Sequence, residues 1–105
     1  MTDYRLVLST TGTKEEADKI AYALVEKRLA ACVNIVSEMD SVYSWQGRTE
    51  QAREFLLLIK THARRIDEVR AAIRELHSYE VPELIAIPIE DGLPAYLAWI
   101  DESVK

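Results

Sequence analysis

The sequence predicts an α+β fold, in which two helices cover one face of a four-stranded sheet. Two observations support this prediction. Four segments are rich in the apolar and β-branched residues typical of strands, and two segments between them carry apolar residues at helical spacing. The chain has 105 residues, of which 49% are hydrophobic, so we expect one domain over residues 1–105 with a single core.

The first strand and the first helix lie at the start of the chain. Tyr4–Thr11 is rich in β-tolerant residues and predicts a strand that Gly12 ends. Thr13 and Glu16 have the spacing of a capping box, in which Thr13 caps the helix and Glu16 reaches back. We expect the helix to run to about Leu29. Its apolar stripe consists of Ala17, Ile20, Ala21 and Leu24.

A long hairpin follows the first helix. The second strand is predicted over Ala30–Val36, is interrupted by a bulge or bend at Ser37–Ser41, and resumes at Val42–Trp45. A turn at Gln46–Arg48 leads to the third strand, Glu54–Lys60. The five consecutive apolar residues of the third strand indicate that both of its faces are covered, which places it in the centre of the sheet.

The second half of the chain supplies one more helix, one more strand and a terminal helix. Thr61 is predicted to cap the second helix, and Pro82 prevents that helix from continuing. Leu84–Ile89 predicts the fourth strand, in which Pro88 indicates an edge or a bulge. Ala95–Ser103 predicts a short terminal helix. The second helix has its apolar stripe at Ile66, Val69, Ile73 and Leu76. The order β-α-β-β-α-β is that of the ferredoxin-like plait.

The charge balance excludes several classes of function. The net charge is −5, which argues against nucleic acid and against an anionic membrane surface. No apolar run is long enough to span a bilayer, and no signal peptide is visible, so we expect a cytoplasmic protein.

Catalysis has little support, because the sequence has no glycine-rich phosphate loop, HExxH motif or nucleophile triad. The single cysteine excludes an intrachain disulfide and a CxxC motif.

A polar stretch lies between the second helix and the fourth strand. We call Leu76–Glu83 the 76–83 segment; it holds His77, Glu80 and Glu83. An imidazole and two carboxylates are plausible ligands for a hard or borderline divalent cation. The alternative is a connector whose histidine forms local hydrogen bonds and whose carboxylates are solvated.

Three further features each have two interpretations. Cys32 is either a soft-metal ligand or a small buried core residue, which burial statistics favour. Lys60 either pairs with Glu54 or Glu80 or binds an anion. A set of aromatic residues either stacks a ligand or fills a subunit interface. These aromatic residues are Tyr43, Trp45 and Tyr79.

Several residue runs together resemble the CutA family of divalent-cation tolerance proteins. The resemblance covers nearly the whole chain, in order and at the expected separations. The runs that carry it are Ala30–Asn34, Ser41–Gly47, Leu58–Thr61, His77–Ile85 and Tyr96–Ile100.

This resemblance implies a ferredoxin-like subunit assembled as a homotrimer, with a likeness to the PII signalling trimers. It also implies tolerance of copper and other divalent metals. Where relatives with a described copper site carry a cysteine and a histidine pair, this chain has Ser9 and only His77. We therefore expect weak or moderate copper binding at His77, Glu80 and Glu83, with no cofactor required for folding.

The expected function is that of a non-enzymatic, homotrimeric protein that binds divalent cations. The alternative is a PII-like trimeric signalling or scaffold protein. Such a protein would bind a small ligand or a partner in the clefts between its subunits. The resemblance names no protein partner.

Overall fold

The computed structural model describes residues 2–105. These residues form four strands and three helices, with a single 3₁₀ turn before the second helix. Their bounds in chain order are β1 Tyr4–Thr11, α1 Lys14–Glu26, β2 Cys32–Trp45, β3 Arg48–His62, the 3₁₀ turn Ala63–Arg65, α2 Ile66–Leu76, β4 Ile85–Pro88 and α3 Pro94–Ser103.

The four strands form one antiparallel sheet in the order β2-β3-β1-β4. The prediction that β3 is a central strand is confirmed. β1 pairs with β3 along its whole length, from Tyr4 opposite His62 to Thr11 opposite Phe55. β4 has only four residues and lies at the edge of the sheet beside β1. Pro88 is tolerated there, because an edge strand has no further strand to which its missing N–H would donate.

Helices α1 and α2 pack against one face of the sheet and enclose the main core. Alternate residues of the two central strands point into this layer, among them Val7, Leu57 and Ile59, and all three are fully buried. The predicted helical stripes face the same layer. The core residues are Val7, Ala17, Ile20, Leu24, Ala30, Leu57, Ile59, Val69, Ala72 and Ile73.

The opposite face of the sheet, here called the open face, is also apolar but only partly covered. Helix α3 crosses one end of it, where Ile100 and Val104 are buried beside Tyr4. Elsewhere the open face has side chains in reach of solvent. The strand register assigns to it Leu6, Leu8, Val36, Leu56, Leu58, Ile85 and Ile87.

The hairpin is longer than predicted and extends beyond the rest of the sheet. β3 begins at Arg48 instead of Glu54, because its polar first half pairs with β2 as far as Trp45. A register shift between Val36 and Met39 confirms the predicted bulge. β1 pairs only with residues 55–62 of β3, so residues 48–54 have β2 as their single neighbouring strand.

Two predicted helix ends differ from the structure. Thr61 does not cap the second helix. It lies within β3, where its hydroxyl donates to the main-chain oxygen of Leu29 at 2.6 Å. His62 caps the 3₁₀ turn before α2, since its Nδ1 accepts the N–H of Arg64 at 3.0 Å. The N-cap residue of α2 itself is Arg65, whose side chain makes no capping hydrogen bond. Helix α1 ends at Glu26, because Arg28 has a positive φ of 58° that is incompatible with a continuing helix.

Candidate functional site

The 76–83 segment crosses from α2 to β4 past the carboxyl end of β1. His77 is extended, with φ of −84° and ψ of 140°, and its N–H donates to the oxygen of Ile73 at 2.9 Å. The chain therefore leaves the helix at His77, five residues before Pro82. This turn directs the imidazole towards the interior and leaves the following carboxylates on the surface.

The His77 ring is buried and both of its nitrogens are engaged. Its side chain is 0% exposed. Nε2 lies 2.6 Å from the main-chain oxygen of Thr10, which only accepts, so Nε2 carries a proton and donates it. Nδ1 accepts the N–H of Tyr79 at 3.1 Å. In this arrangement neither nitrogen offers a free lone pair to a metal ion.

Glu16 of α1 lies beside the histidine and binds the main chain of the 76–83 segment. Its Oε1 lies 3.1 Å from Nδ1 of His77 and accepts the N–H of Ser78 at 3.2 Å. The capping-box prediction is half confirmed, since the N–H of Glu16 donates to the Thr13 hydroxyl at 3.2 Å. The carboxylate, however, binds the 76–83 segment. Glu16 thus fixes this segment to α1, a role the sequence analysis missed.

Tyr79 continues this polar cluster towards the hairpin. Its hydroxyl donates to Oε2 of Glu54 at 2.9 Å, and its ring lies 4.6 Å from that of His77 between centroids. Burial, followed by the hydrogen bond and the charge of Glu54, raises the pKa of Tyr79 to about 12. Gly12 leaves room for the phenol, because a Cβ there would lie 3.1 Å from the Tyr79 hydroxyl oxygen.

The structure does not bring the three predicted metal ligands together. The side chains of Glu80 and Glu83 are exposed, whereas His77 is buried. Glu83 is held by its main-chain oxygen, which accepts from the buried Ser9 hydroxyl at 2.8 Å. Within residues 2–105, no three His, Cys, Asp or Glu side chains are close enough to hold a metal ion. A preformed copper site within one chain therefore does not fit these residues.

Cys32 and Lys60 also differ from the favoured interpretations. Cys32 is half-buried on the edge strand β2 rather than buried in the core. Lys60 pairs with neither Glu54 nor Glu80, and forms no ion pair within the part of the chain that the structure describes. Its ammonium instead lies 5.6 Å from the centre of the Tyr96 ring.

Comparison with known proteins identifies the family. A family model described as "CutA1 divalent ion tolerance protein" matches residues 5–103. The chain belongs to the CutA1 family. A CutA1 relative from Archaeoglobus fulgidus, named a divalent-cation tolerance protein, is 44% identical over 102 residues, which cover 97% of this chain and 99% of that protein.

Solved structures of CutA1 proteins share the fold over almost the whole chain. The divalent cation tolerance protein of Thermus thermophilus has a TM-score of 0.95 at 44% identity, covering 97% of this chain and 99% of that one. CutA from Xylella fastidiosa has a TM-score of 0.96 at 39% identity, covering 99% and 100%. Within residues 2–105, no helix of this CutA1 chain has the length and hydropathy needed to cross a membrane.

Proposed function

We propose that this chain acts as a homotrimer in tolerance of divalent cations, without enzymatic activity, and binds copper(II) reversibly with weak or moderate affinity. Membership of the CutA1 divalent ion tolerance family is the observation that carries the proposal. A cytoplasmic location remains part of the proposal.

The open face supports assembly with further copies of the chain. Ile85 is 51% exposed and Ile87 is 40% exposed at one edge of this face, and Val36 is 43% exposed at the other edge. Partly buried leucines of β1 and β3 lie between the two edges. A contiguous apolar surface of this kind marks an interaction site in a protein that folds around a separate core. The occupant we propose is a second and third copy of the same chain, because the family resemblance implies a trimer.

The hairpin end supports the same assembly. Val42 is 68% exposed and Trp45 is 57% exposed, on strands that extend beyond β1. Large aromatic residues frequently anchor protein interfaces. The outer edge of β2 is 14 residues long and has no pairing strand within residues 2–105. A long unpaired edge of this kind is a surface that another copy can cover.

The metal proposal concerns the surface carboxylates of the 76–83 segment. Glu80 and Glu83 are solvent-accessible oxygen donors on one short stretch, and copper(II) heads the affinity order of divalent metals for nitrogen and oxygen donors. His77 would join them only after its Nδ1 had released the Tyr79 N–H. We therefore propose a site completed by water or by a neighbouring subunit, which accounts for modest affinity.

Isothermal titration of the native protein with copper(II) tests this proposal. The double variant Glu80→Gln/Glu83→Gln should bind copper at least about tenfold more weakly, since it removes both charged donors. The matched control Glu26→Gln/Glu90→Gln removes two exposed carboxylates elsewhere and should bind like the wild type. Equal affinity in the Glu80/Glu83 variant and the wild type would place copper elsewhere.

Copper titration of the variant His77→Ala shows whether His77 takes part. Loss of copper binding in this variant would mean that the imidazole is a ligand, whereas retained binding would leave the carboxylates as the ligands. We expect most of the binding to be retained, because both ring nitrogens of His77 already have partners.

A further inference from the structure

A cavity of about 330 Å³ lies between α2 and the second half of the 76–83 segment. Its volume falls at the lower end of the range of about 300–1,000 Å³ found for small-molecule sites. Its apolar walls are Ile73, Val81, Pro82 and Leu84. Ile73 belongs to the main core and Leu84 packs against it, so the cavity lies on the helical side of the sheet. The open face, the hairpin end and the outer edge of β2 contribute no residue to its walls, so the proposed assembly through those surfaces leaves it accessible.

Two arginines one helical turn apart supply positive charge to this cavity. Arg70 and Arg74 are spaced i, i+4 on α2 and both line the cavity, so they lie on the same side of the helix. Arg70 donates from Nη1 to Oδ1 of Asp67 at 2.8 Å, whereas Arg74 forms no ion pair within residues 2–105. Two like charges at this spacing repel each other, and a negatively charged ligand beside them would relieve the repulsion.

Glu80 brings a charge of the opposite sign to the same cavity. Its side chain is exposed and pairs with neither arginine in the part of the chain that the structure describes. A carboxylate is an oxygen donor for divalent cations. The guanidiniums of Arg70 and Arg74, however, repel a bare dication at Glu80. The cavity thus combines a donor for a metal ion with two groups that favour an anion.

A metal ion that arrives with a negatively charged chelator satisfies both requirements. Within residues 2–105, no three His, Cys, Asp or Glu side chains converge on one point, so most donors to a cation at Glu80 come from outside this chain. A polycarboxylate chelator supplies these donors and reverses the charge of the ion. A carboxylate of the chelator can then pair with Arg74, because a planar guanidinium binds carboxylates in a bidentate geometry.

We propose that this cavity binds a divalent cation as an anionic chelate, a complex with a polycarboxylate that leaves at least one coordination position to water. The carboxylate of Glu80 replaces a metal-bound water, and Arg74 donates to a carboxylate of the chelator. The methylene groups of the chelator contact Val81 and Pro82. This inference rests on the proposed function and names the form in which the cation is bound. It also gives a reason for weak binding of the bare ion, since both arginines oppose it.

Isothermal titration of the full-length protein in its native assembly with copper(II) nitrilotriacetate tests the proposal. This complex carries one negative charge and keeps coordination positions filled by water. Copper(II) iminodiacetate lacks one carboxylate arm and is neutral, so it is the matched control ligand. The anionic complex should bind roughly fivefold more tightly than the neutral one, the upper value for an exposed ion pair. Copper(II) is paramagnetic, so the bound complex should broaden the amide signals of Arg74 and Glu80 in ¹⁵N-labelled protein.

Variants of the charged walls assign their roles. Arg74→Gln should weaken binding of the anionic complex roughly fivefold and should not weaken binding of bare copper(II), because it removes attraction for the chelator and repulsion of the ion. Glu80→Gln should weaken binding of both. Lys19→Gln is the matched control, since it removes an exposed charge from α1, and should bind both like the wild type.

The outcomes separate this inference from the proposed function. Bare copper(II) that binds through Glu80, with no binding of its nitrilotriacetate complex, would overturn the inference and leave the proposed function standing. The inference also fails if metal-free nitrilotriacetate binds as tightly as its copper complex, or if Arg74→Gln binds the complex as tightly as Lys19→Gln. Binding of the complex without binding of the bare ion would support the inference and contradict the proposed binding of bare copper(II).

Discussion

Replacement of His77 by alanine should destabilise the protein whether or not metal is present. The variant removes a ring that is 0% exposed and leaves two main-chain groups without partners, the oxygen of Thr10 and the N–H of Tyr79. An unsatisfied buried polar group costs about 1–3 kcal/mol, and loss of buried side-chain volume adds to this. Allowing for partial relaxation and entry of water, we expect a loss of about 3 kcal/mol in the free energy of unfolding.

Thermal and denaturant unfolding in the presence of a chelator measures this loss. At about 4–8 °C per kcal/mol for a small domain, Tm should fall by about 12–24 °C. Wild type and variant are compared at one chain concentration, because assembly makes Tm concentration-dependent. His62→Ala is the matched control, since the chain has two histidines. It removes the capping contact to the Arg64 N–H and an edge-to-face contact with the Tyr4 ring, together worth about 1–2 kcal/mol.

The comparison separates a structural histidine from an available metal ligand. A buried structural role for His77 is contradicted if His77→Ala and His62→Ala lower the free energy of unfolding by amounts that differ by less than about 0.5 kcal/mol. Ordinary surface substitutions differ by that much. The Tyr79 N–H and the Thr10 oxygen would then have to be exposed to water in the folded protein.

Two further predictions concern the tyrosine and the second histidine. The pKa of Tyr79 is raised to about 12, against 10 in an unfolded chain. The contribution of Tyr79 to the free energy of unfolding is therefore complete below pH 10 and is lost as the pH rises through 12. Phenolate absorbance should show this late titration, and Tyr79→Phe should remove it. Burial, and then the charge of Arg64, lowers the pKa of His62 below 6.5. The contribution of His62 to the free energy of unfolding is therefore present above pH 6.5 and is lost as the pH falls through the lowered pKa. A ¹H NMR titration midpoint at or above 6.5 for His62 would contradict this.

The fold could be predicted from the sequence where the signal is periodic and local. The apolar residues of α1 and α2 recur at helical spacing, and those of Phe55–Ile59 are consecutive. These patterns predicted the two helices and the central position of the third strand. The first half of β3 could not be recognised, because residues 48–53 are mostly polar and exposed and carry no apolar alternation. Their pairing with β2 shows only in the structure.

The candidate site was predicted less well than the fold, because its contacts are distant in sequence. His77 and Thr10 are 67 residues apart, and no local pattern relates them. Glu16 carried a capping-box signal that correctly placed the helix start but gave no sign that its carboxylate binds the 76–83 segment. A histidine beside exposed carboxylates looked like a ligand set, yet the backbone at His77 directs its ring inwards.

The mass of the protein in solution at micromolar concentration tests assembly as a homotrimer. Multi-angle light scattering should return three times the 12.0 kDa mass of one chain. Ile85→Lys/Ile87→Lys places two charges on the open face and should give a folded protein of lower mass. The control Tyr22→Lys/Val25→Lys, on exposed positions of α1, should keep the trimer mass. A wild-type mass of one chain, or equal loss of mass in both variants, would contradict assembly through the open face.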